Sequence, residues 1–281
     1  MNPPGTTIDL HIHSTYSDGL LSLQEIVDIA VTRNLAAIAL TDHDTTAGVP
    51  EILRIGQAAG IEVVPGIEIS VSYNGCEAHL LGYFIDPTRP ILHHYAKLLN
   101  DFRVQRAKKI VRILKHHGMD IPFELVAHKA NGSPIGRPHI AEVMMEEGYV
   151  FSMYEAFQKY LGEDKPADVP KMNISPGKGV EIIKEAGGLA FLAHPVTIPC
   201  CDDFIAHLLE MGLDGIETIH PKHTFQDRQH LRAMAQNLNL LESGGSDCHG
   251  GRHGTIQLGA LDVPVAFVKR MKEKHEHLVS G

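Results

Sequence analysis

The 281-residue sequence predicts an α/β protein: a largely parallel sheet, closed as a barrel or doubly wound, carrying a helical insertion. Three observations support this. Short apolar runs alternate with amphipathic helical stretches over 1–87 and again over 173–281. The rhythm stops over 88–172, where helical patterns take over, notably from His93 to His117. Finally, the apolar runs repeatedly end in His, Asp or Glu, as in a barrel whose reactive side chains sit at the C-terminal ends of its strands.

The first run is Asp9-Leu10-His11-Ile12-His13-Ser14, continuing to Asp18. As a strand it puts Asp9, His11 and His13 on one face and Leu10 and Ile12 on the other. The two histidine Cα atoms then lie ~6.7 Å apart, within reach of one metal ion. A half-buried strand with two hydrogen-bonded histidines would show the same pattern, so the rest of the chain must decide. Ser22-Leu23-Gln24-Glu25 has the form of a capping box, and Ile26, Val27, Ile29 and Ala30 follow at helical spacing until Asn34. Ala36 to Leu40 is too short for a helix and suits a buried parallel strand, ending in Thr41-Asp42-His43-Asp44. A second helix over 46–59 precedes Ile61-Glu62-Val63-Val64, and Pro65-Gly66 opens Ile67-Glu68-Ile69-Ser70. Ala78 to Phe84, with His79, reads as a further strand.

Beyond the insertion, Ser175-Pro176 is an N-cap followed by proline at the first helical position, and Gly187-Gly188 ends that helix. Leu189 to Ala193 leads to His194-Pro195, and Gly215 to Ile219 leads to His220 with His223 just after. Leu240 to Ser243 leads to Gly244-Gly245-Ser246-Asp247-Cys248-His249. The tail from Lys269 reads as a solvated helix end.

Composition narrows the function. A formal charge of −9 argues against a generally basic nucleic-acid-binding surface, though a basic pocket is compatible with it. No run approaches the ~18 consecutive apolar residues of a membrane span. Met1-Asn2-Pro3-Pro4 has neither a basic nor an apolar targeting region, which makes a cytoplasmic location the expectation. Cys76, Cys200, Cys201 and Cys248 form no Cys-x-x-Cys and no disulfide framework, in keeping with a reducing compartment. The 19 histidines matter because so many follow strands.

Taken in order, Asp-Leu-His-Ile-His-Ser with Asp18, Thr-Asp-His-Asp, Gly-Ile-Glu-Ile-Ser, Ala-His-Pro and Gly-Ser-Asp-Cys-His resemble the motifs of the PHP (polymerase and histidinol phosphatase) family over nearly the whole chain. The resemblance implies a distorted (β/α)7 TIM-like barrel over 1–87 and 173–281, with 88–172 as an insertion covering the active-site mouth. It also implies three sets of metal ligands: His11, His13, Glu68 and Asp247; Glu68 with His79 and His194; and Asp18, His43 and His249. Mixed imidazole and carboxylate donors suit Mn²⁺ first, with Fe²⁺ and Zn²⁺ accommodated, over Mg²⁺ or Ca²⁺. Catalysis would rest on Glu68, Asp247 and His194, with a hydroxide bridging two ions attacking phosphorus and no Ser or Cys nucleophile. Cys248 reads as a small space-filling residue beside the cluster.

The insertion is similar to that of the nucleoside 3′,5′-bisphosphate phosphatase branch, some of whose members are 5′→3′ exoribonucleases. Its matching signatures are Arg103-Val104-Gln105-Arg106, Gly136-Arg137-Pro138-His139 and Tyr160-Leu161-Gly162. On a helical wheel Leu99, Arg103, Arg106, Ile110 and Ile113 share one stripe, while Lys108, Arg112 and Lys115 lie opposite. Arginines on an apolar face are costly unless paired, so Arg103 and Arg106 are candidates to grip a second phosphate. Arg137, His139, His220 and His223 are further candidate substrate contacts, the last two alternatively capping a helix or lying in the core. The expected substrate is a small bisphosphorylated nucleotide. A short RNA end, histidinol phosphate, or a non-catalytic binding role are the alternatives, and no membrane or stable protein partner is implied.

Overall fold

The structure, a computed structural model, describes residues 5–131, 135–171, 174–199, 201–251 and 254–280, apart from the side chains of 279 and 280. Met1 to Pro4 and Cys200, which entered the targeting and disulfide readings, lie outside those residues. Contacts divide the chain into two compact units, Met1–His93 with Asn173–Gly281, and His94–Met172.

The first unit is built on eight strands: β1 (Thr7–Ile12), β2 (Ala37–Leu40), β3 (Glu62–Tyr73), β4 (Cys76–Tyr83), β5 (Leu189–Leu192), β6 (Gly215–Ile219), β7 (Leu241–Gly244) and β8 (Val263–Pro264). They form one sheet in the order β7-β6-β5-β4-β3-β2-β1-β8. After β7, the chain returns to β1: His13 N–H donates to Cys248 O at 3.0 Å, and an isolated parallel bridge joins Ile12 to Cys248. The sheet is thereby nearly closed into a barrel, as expected of the fold class.

The strand directions correct one expectation. β1, β2, β3, β5, β6 and β7 run the same way, but β4 is antiparallel to both its neighbours. The cause is local: Asn74 (φ 49°) and Gly75 (φ 81°) both take left-handed backbone and make a tight hairpin from β3 to β4. Reversal puts the N-terminal half of β4, with His79 paired opposite Ser70, at the end where the other strands finish. Pro65-Gly66 also proves to lie inside one 12-residue strand, where Pro65 pairs with Leu40 and its carbonyl accepts from Ile85 N–H. A Cβ on Gly66 would stand 2.7 Å from Leu40 O, so only glycine allows that approach.

Helices cover the barrel. In this unit they are α1 (Leu23–Thr32), α2 (Val49–Ala59), the first residues of α3 (Pro90–His116), and the helices Pro176–Glu185, Cys201–Glu210, Phe225–Asn237 and Ala266–Ser280. α1 starts in the expected capping box of Ser22 and Glu25. Its Ile26, Val27 and Ala30 pack with Ile52 and Ile55 of α2 against Ile38 and Leu40. A second cluster holds Ala37, Ala39, Val64, Leu81, Tyr83 and Phe191 together with Phe267, Val268 and Met271 from the C-terminal helix, Ala266–Ser280. From Lys269 onward only Met271 is buried among the described side chains, while Lys269, Arg270, Glu273, Glu276, His277 and Leu278 are exposed, so the end of this helix is largely solvated with one face packed on the barrel. Its Lys274 pairs with the buried Asp214 at 3.1 Å, and His275 meets Gly187 O at 2.9 Å.

The second unit has its own core, in which Ile110 and Leu114 of α3 join Val126, Ile140, Met144 and Leu161. Along α3, Lys108, Arg112 and Lys115 are exposed, while Arg103 and Arg106 are half-buried. Arg106 Nε donates to Val169 O at 2.6 Å. Arg137 donates to Leu161 O at 2.8 Å, lies 3.5 Å from Asp168, and stands over the Phe157 ring.

Closure depends on a second close approach. A Cβ on Gly245 would lie 2.4 Å from both His11 N and His11 Cβ. Gly245→Ala is expected to cost about 1–3 kcal/mol through overpacking. The check is thermal denaturation alongside metal content, both of which should fall because the displaced residue is His11.

Candidate metal centre

The strand ends bring nine predicted residues together. His11 and His13 leave β1 and its end, Glu68 comes from β3 and His79 from β4. His43 follows β2, His194 follows β5, and Asp247 and His249 follow β7. Asp18 sits in the loop after β1, which Asp42 anchors by accepting from Ser14 N–H (2.7 Å), Ser14 Oγ (2.6 Å) and Ser17 Oγ (2.5 Å). Glu68 is tied by its backbone to the His43 loop, donating to Asp42 O at 3.2 Å and accepting from Asp44 N–H at 2.8 Å.

Glu68 is fully buried and organises the cluster. Its Oε2 faces His11 Nε2 (3.2 Å), His13 Nε2 (3.2 Å) and His43 Nδ1 (3.1 Å). Its Oε1 faces His79 Nδ1 (2.9 Å) and His194 Nε2 (3.2 Å). Asp247 Oδ1 completes the first set, 3.5 Å from His11 Nε2 and 3.2 Å from His13 Nε2. Asp18 Oδ1 lies 3.3 Å from His249 Nε2 and 3.8 Å from His13 Nδ1. Ligand atoms of His13, Asp18, His43 and His249 all fall within 4.8 Å of one another. Two predicted sets thus share Glu68, and His43 stands between the third set and Glu68.

The donor chemistry fits metal ions. Both nitrogens of His13, and Nδ1 of His43 and His79, are buried beside carboxylates yet make no hydrogen bond. They converge on common points instead of pairing one to one. On four candidate ligand histidines the opposite nitrogen is occupied: His11 Nδ1 by Glu217 Oε1 (3.1 Å), His79 Nε2 by Glu77 (3.4 Å), His194 Nδ1 by Thr197 Oγ1 (3.0 Å), and His249 Nδ1 by Asp247 O (2.9 Å). Such contacts fix the tautomer and ring orientation of a ligating histidine.

The electrostatics agree. Burial opposes charge on Glu68, but His43, His11 and His79 hold its carboxyl well below the usual range. Asp247 and Asp18 are likewise depressed against their burial, by His11, His13 and His220 around the first and by His249 and His43 around the second. Burial works against the charged form of His13, yet Asp247 and Glu68 push it up to about 9. Glu68 similarly takes His79 up to about 10. At His43 and His194 burial wins, and both stay below the ordinary histidine value.

The remaining predicted contacts divide. His220 Nε2 is 3.3 Å from Asp247 Oδ2, and its Nδ1 accepts from Lys222 N–H at 3.1 Å. His223 is buried, its ring 5.3 Å from that of His220, with Nδ1 at 3.2 Å from Thr218 O. Arg103, Arg106, Arg137 and His139 belong to the other compact unit; His139 Nδ1 accepts from Gly136 N–H at 3.1 Å. Glu217 was not foreseen. Its signal was present, since it is the one acidic residue within the apolar run Gly215 to Ile219, but nothing local says which ligand it would touch.

A nearly closed α/β barrel with imidazoles and carboxylates converging at its strand ends defines a metal-dependent hydrolase. The PHP domain model matches residues 9–183, and the chain belongs to that family. It is similar to a 3',5'-nucleoside bisphosphate phosphatase of Chromobacterium violaceum, 34% identical over 92% of this chain and 92% of the relative. It is also similar to the 5'-3' exoribonuclease Rnm of Escherichia coli, 33% identical over 86% and 84%. A phosphoesterase structure from Bifidobacterium adolescentis superposes with TM-score 0.78 at 27% identity, covering 96% of both chains. The protein is a PHP metal-dependent phosphoesterase, a hydrolase acting on ester bonds. No helix among the described residues is long and apolar enough to cross a membrane.

The raised values of His13 and His79 mean that both hold protons at neutral pH when no metal is bound, so an arriving cation must displace them. Metal binding at pH 7 should release protons, and apparent affinity should rise as pH climbs toward the values of about 9 and 10 for these two groups. Calorimetry in buffers of different ionisation enthalpy measures the release directly; binding with no net proton release would contradict this electrostatic picture.

Proposed function

We propose that the protein hydrolyses a phosphate monoester of a small nucleotide, with a nucleoside 3′,5′-bisphosphate as its preferred substrate. The observation behind this reading is the Glu68 carboxylate, each of whose oxygens faces its own set of imidazoles, with a third His/Asp group alongside. The similarity across nearly the full length of the Chromobacterium violaceum bisphosphate phosphatase supports the substrate class.

His11, His13, Glu68 and Asp247, then Glu68 with His79 and His194, then Asp18, His43 and His249 would hold three divalent ions, Mn²⁺ foremost. Bound there, such ions neutralise phosphate charge and lower the pKa of water in the site. The chain's own residues do the rest. Three carboxylates leave part of the charge of three dications unbalanced, which favours a phosphate dianion as guest. Because His220 Nδ1 accepts from Lys222 N–H, a neutral His220 carries its proton on Nε2 and can donate to Asp247 or to a phosphate oxygen. His223 directs Nδ1–H at Thr218 O, leaving Nε2 as a buried acceptor beside it. Cys248 is buried in the apolar cluster with Ile12 and Leu40 and accepts from Gly250 N–H, which fits a space-filling residue beside the site. A second reading, exoribonuclease action on short 5′-phosphorylated RNA, draws on the similarity to the Escherichia coli enzyme and uses the same cluster.

A phosphate-release screen with Mn²⁺ over adenosine 3′,5′-bisphosphate, AMP, histidinol phosphate and short RNA tests the proposal; preference for histidinol phosphate would overturn it. Glu68→Ala should abolish turnover and lower metal content, and chelation should silence the wild type. Arg103 and Arg106 are proposed to select the second phosphate through charge-assisted hydrogen bonds, each worth roughly 1.5–3 kcal/mol. Arg106→Ala should then cut kcat/KM for the bisphosphate about ten- to a hundredfold while AMP hydrolysis changes little. Because Arg106 also bonds Val169 O, the melting temperature is read on the same preparation. Equal losses on both substrates would end the selectivity reading.

A further inference from the structure

We propose that Glu217 is a positioning residue: it selects the nitrogen that His11 presents to the metal centre and holds the backbone of His194 in its ligating conformation. The inference rests on the cluster holding divalent ions, as proposed above.

Glu217 lies on β6 and is fully buried. A carboxylate there persists only where donors satisfy both oxygens. Oε1 stands 3.1 Å from His11 Nδ1, and Oε2 accepts from His194 N–H at 2.8 Å. One side chain thus serves a ligand of the first ion set and a ligand of the second. The consequence for His11 follows from imidazole chemistry. A neutral ring carries one proton, and the nitrogen that binds a metal must be the one without it. His11 Nε2 faces Glu68 Oε2 and Asp247 Oδ1, so the proton belongs on Nδ1, where Glu217 accepts it.

The consequence for His194 is conformational. Its backbone adopts φ 29° and ψ 59°, a left-handed geometry unfavourable for a residue with a side chain, and Pro195 follows directly. The amide turned inward by that geometry is the one Glu217 accepts, while His194 Nε2 reaches Glu68 Oε1 at 3.2 Å. Ligand atoms of His11, Glu217 and His220 also fall within 4.8 Å of one another, which makes direct ligation by Glu217 the rival reading. Oε2 is taken by the His194 amide and Oε1 lies at hydrogen-bond distance from His11 Nδ1, which favours positioning.

The test uses the full chain loaded with Zn²⁺, a diamagnetic ion, and labelled with ¹⁵N-histidine. Wild-type protein should show a His11 ring proton on Nδ1, the resonance being assigned by its absence in His11→Gln. Glu217→Gln keeps the size of the side chain but must turn an N–H group toward one of the two donors. It should weaken Zn²⁺ binding, measured by competition with a chromophoric chelator, by about ten- to a hundredfold. It should also remove or strongly shift the Nδ1–H resonance, a change that a merely packing role would not produce. Affinity within twofold of wild type would overturn the proposal. So would weakened affinity with the His11 proton signature intact, which would point to direct ligation. If Glu217→Gln does not fold, the wild-type spectrum still decides, because a proton on His11 Nε2 is incompatible with the assigned role. Metal content of the wild type, measured separately, tests the cluster itself.

Discussion

One buried carboxylate facing five imidazole nitrogens is the constraint on which the barrel rim depends. Glu68 has two oxygens and about four lone-pair directions, while nitrogens of His11, His13, His43, His79 and His194 all stand within 3.2 Å of it. Hydrogen bonds alone cannot satisfy that arrangement, and several of the nitrogens make none. Cations between the groups would satisfy it, because each nitrogen then directs a lone pair at an ion and the carboxylate bridges. Divalent ions bound there would add cohesion to the cluster, because they would replace protons between imidazoles and carboxylates.

Holding such a cluster requires backbone that gives little freedom to its ligands. Asp42 takes three donors from the Asp18 loop, and Glu68 exchanges backbone hydrogen bonds with the residues on either side of His43. Gly245 lets the chain after β7 press against His11, which is how the barrel closes and how Asp247 and His249 arrive beside β1. Reversal of β4 has the same purpose. Its antiparallel register sets His79 opposite Ser70, two residues along β3 from Glu68.

The helical unit has a different physical character. Its core of Ile110, Leu114, Val126, Ile140 and Met144 is independent of the strand clusters. Its arginines already have work within it: Arg106 bonds Val169 O, and Arg137 bonds Leu161 O and lies near Asp168. Structural and substrate roles can reside in one side chain, which is why selectivity has to be judged by comparing substrates.

How much was legible depends on the range of the interaction. The Ser22/Glu25 capping box, the Ser175-Pro176 helix start and the His-x-His face of β1 were readable because their partners lie within a few residues. The convergence of the candidate ligands was readable for a related reason: a strand that ends in His or Asp states its own chemistry, and a barrel gathers all such ends on one rim. Asn74-Gly75 was equally local and announced a hairpin, yet the alternating rhythm around it suggested only parallel strands. Other features had no local signature. The proton on His11 is set by Glu217, 206 residues away, and the packing of the C-terminal helix by Asp214 and Glu62. The sequence by itself determined which side chains could bind metal and at which strand ends they stand, because periodicity and turn chemistry act over a few residues. The tertiary structure alone decided which oxygen faces which nitrogen and where the protons lie, because those depend on distances between strands that the chain order does not encode.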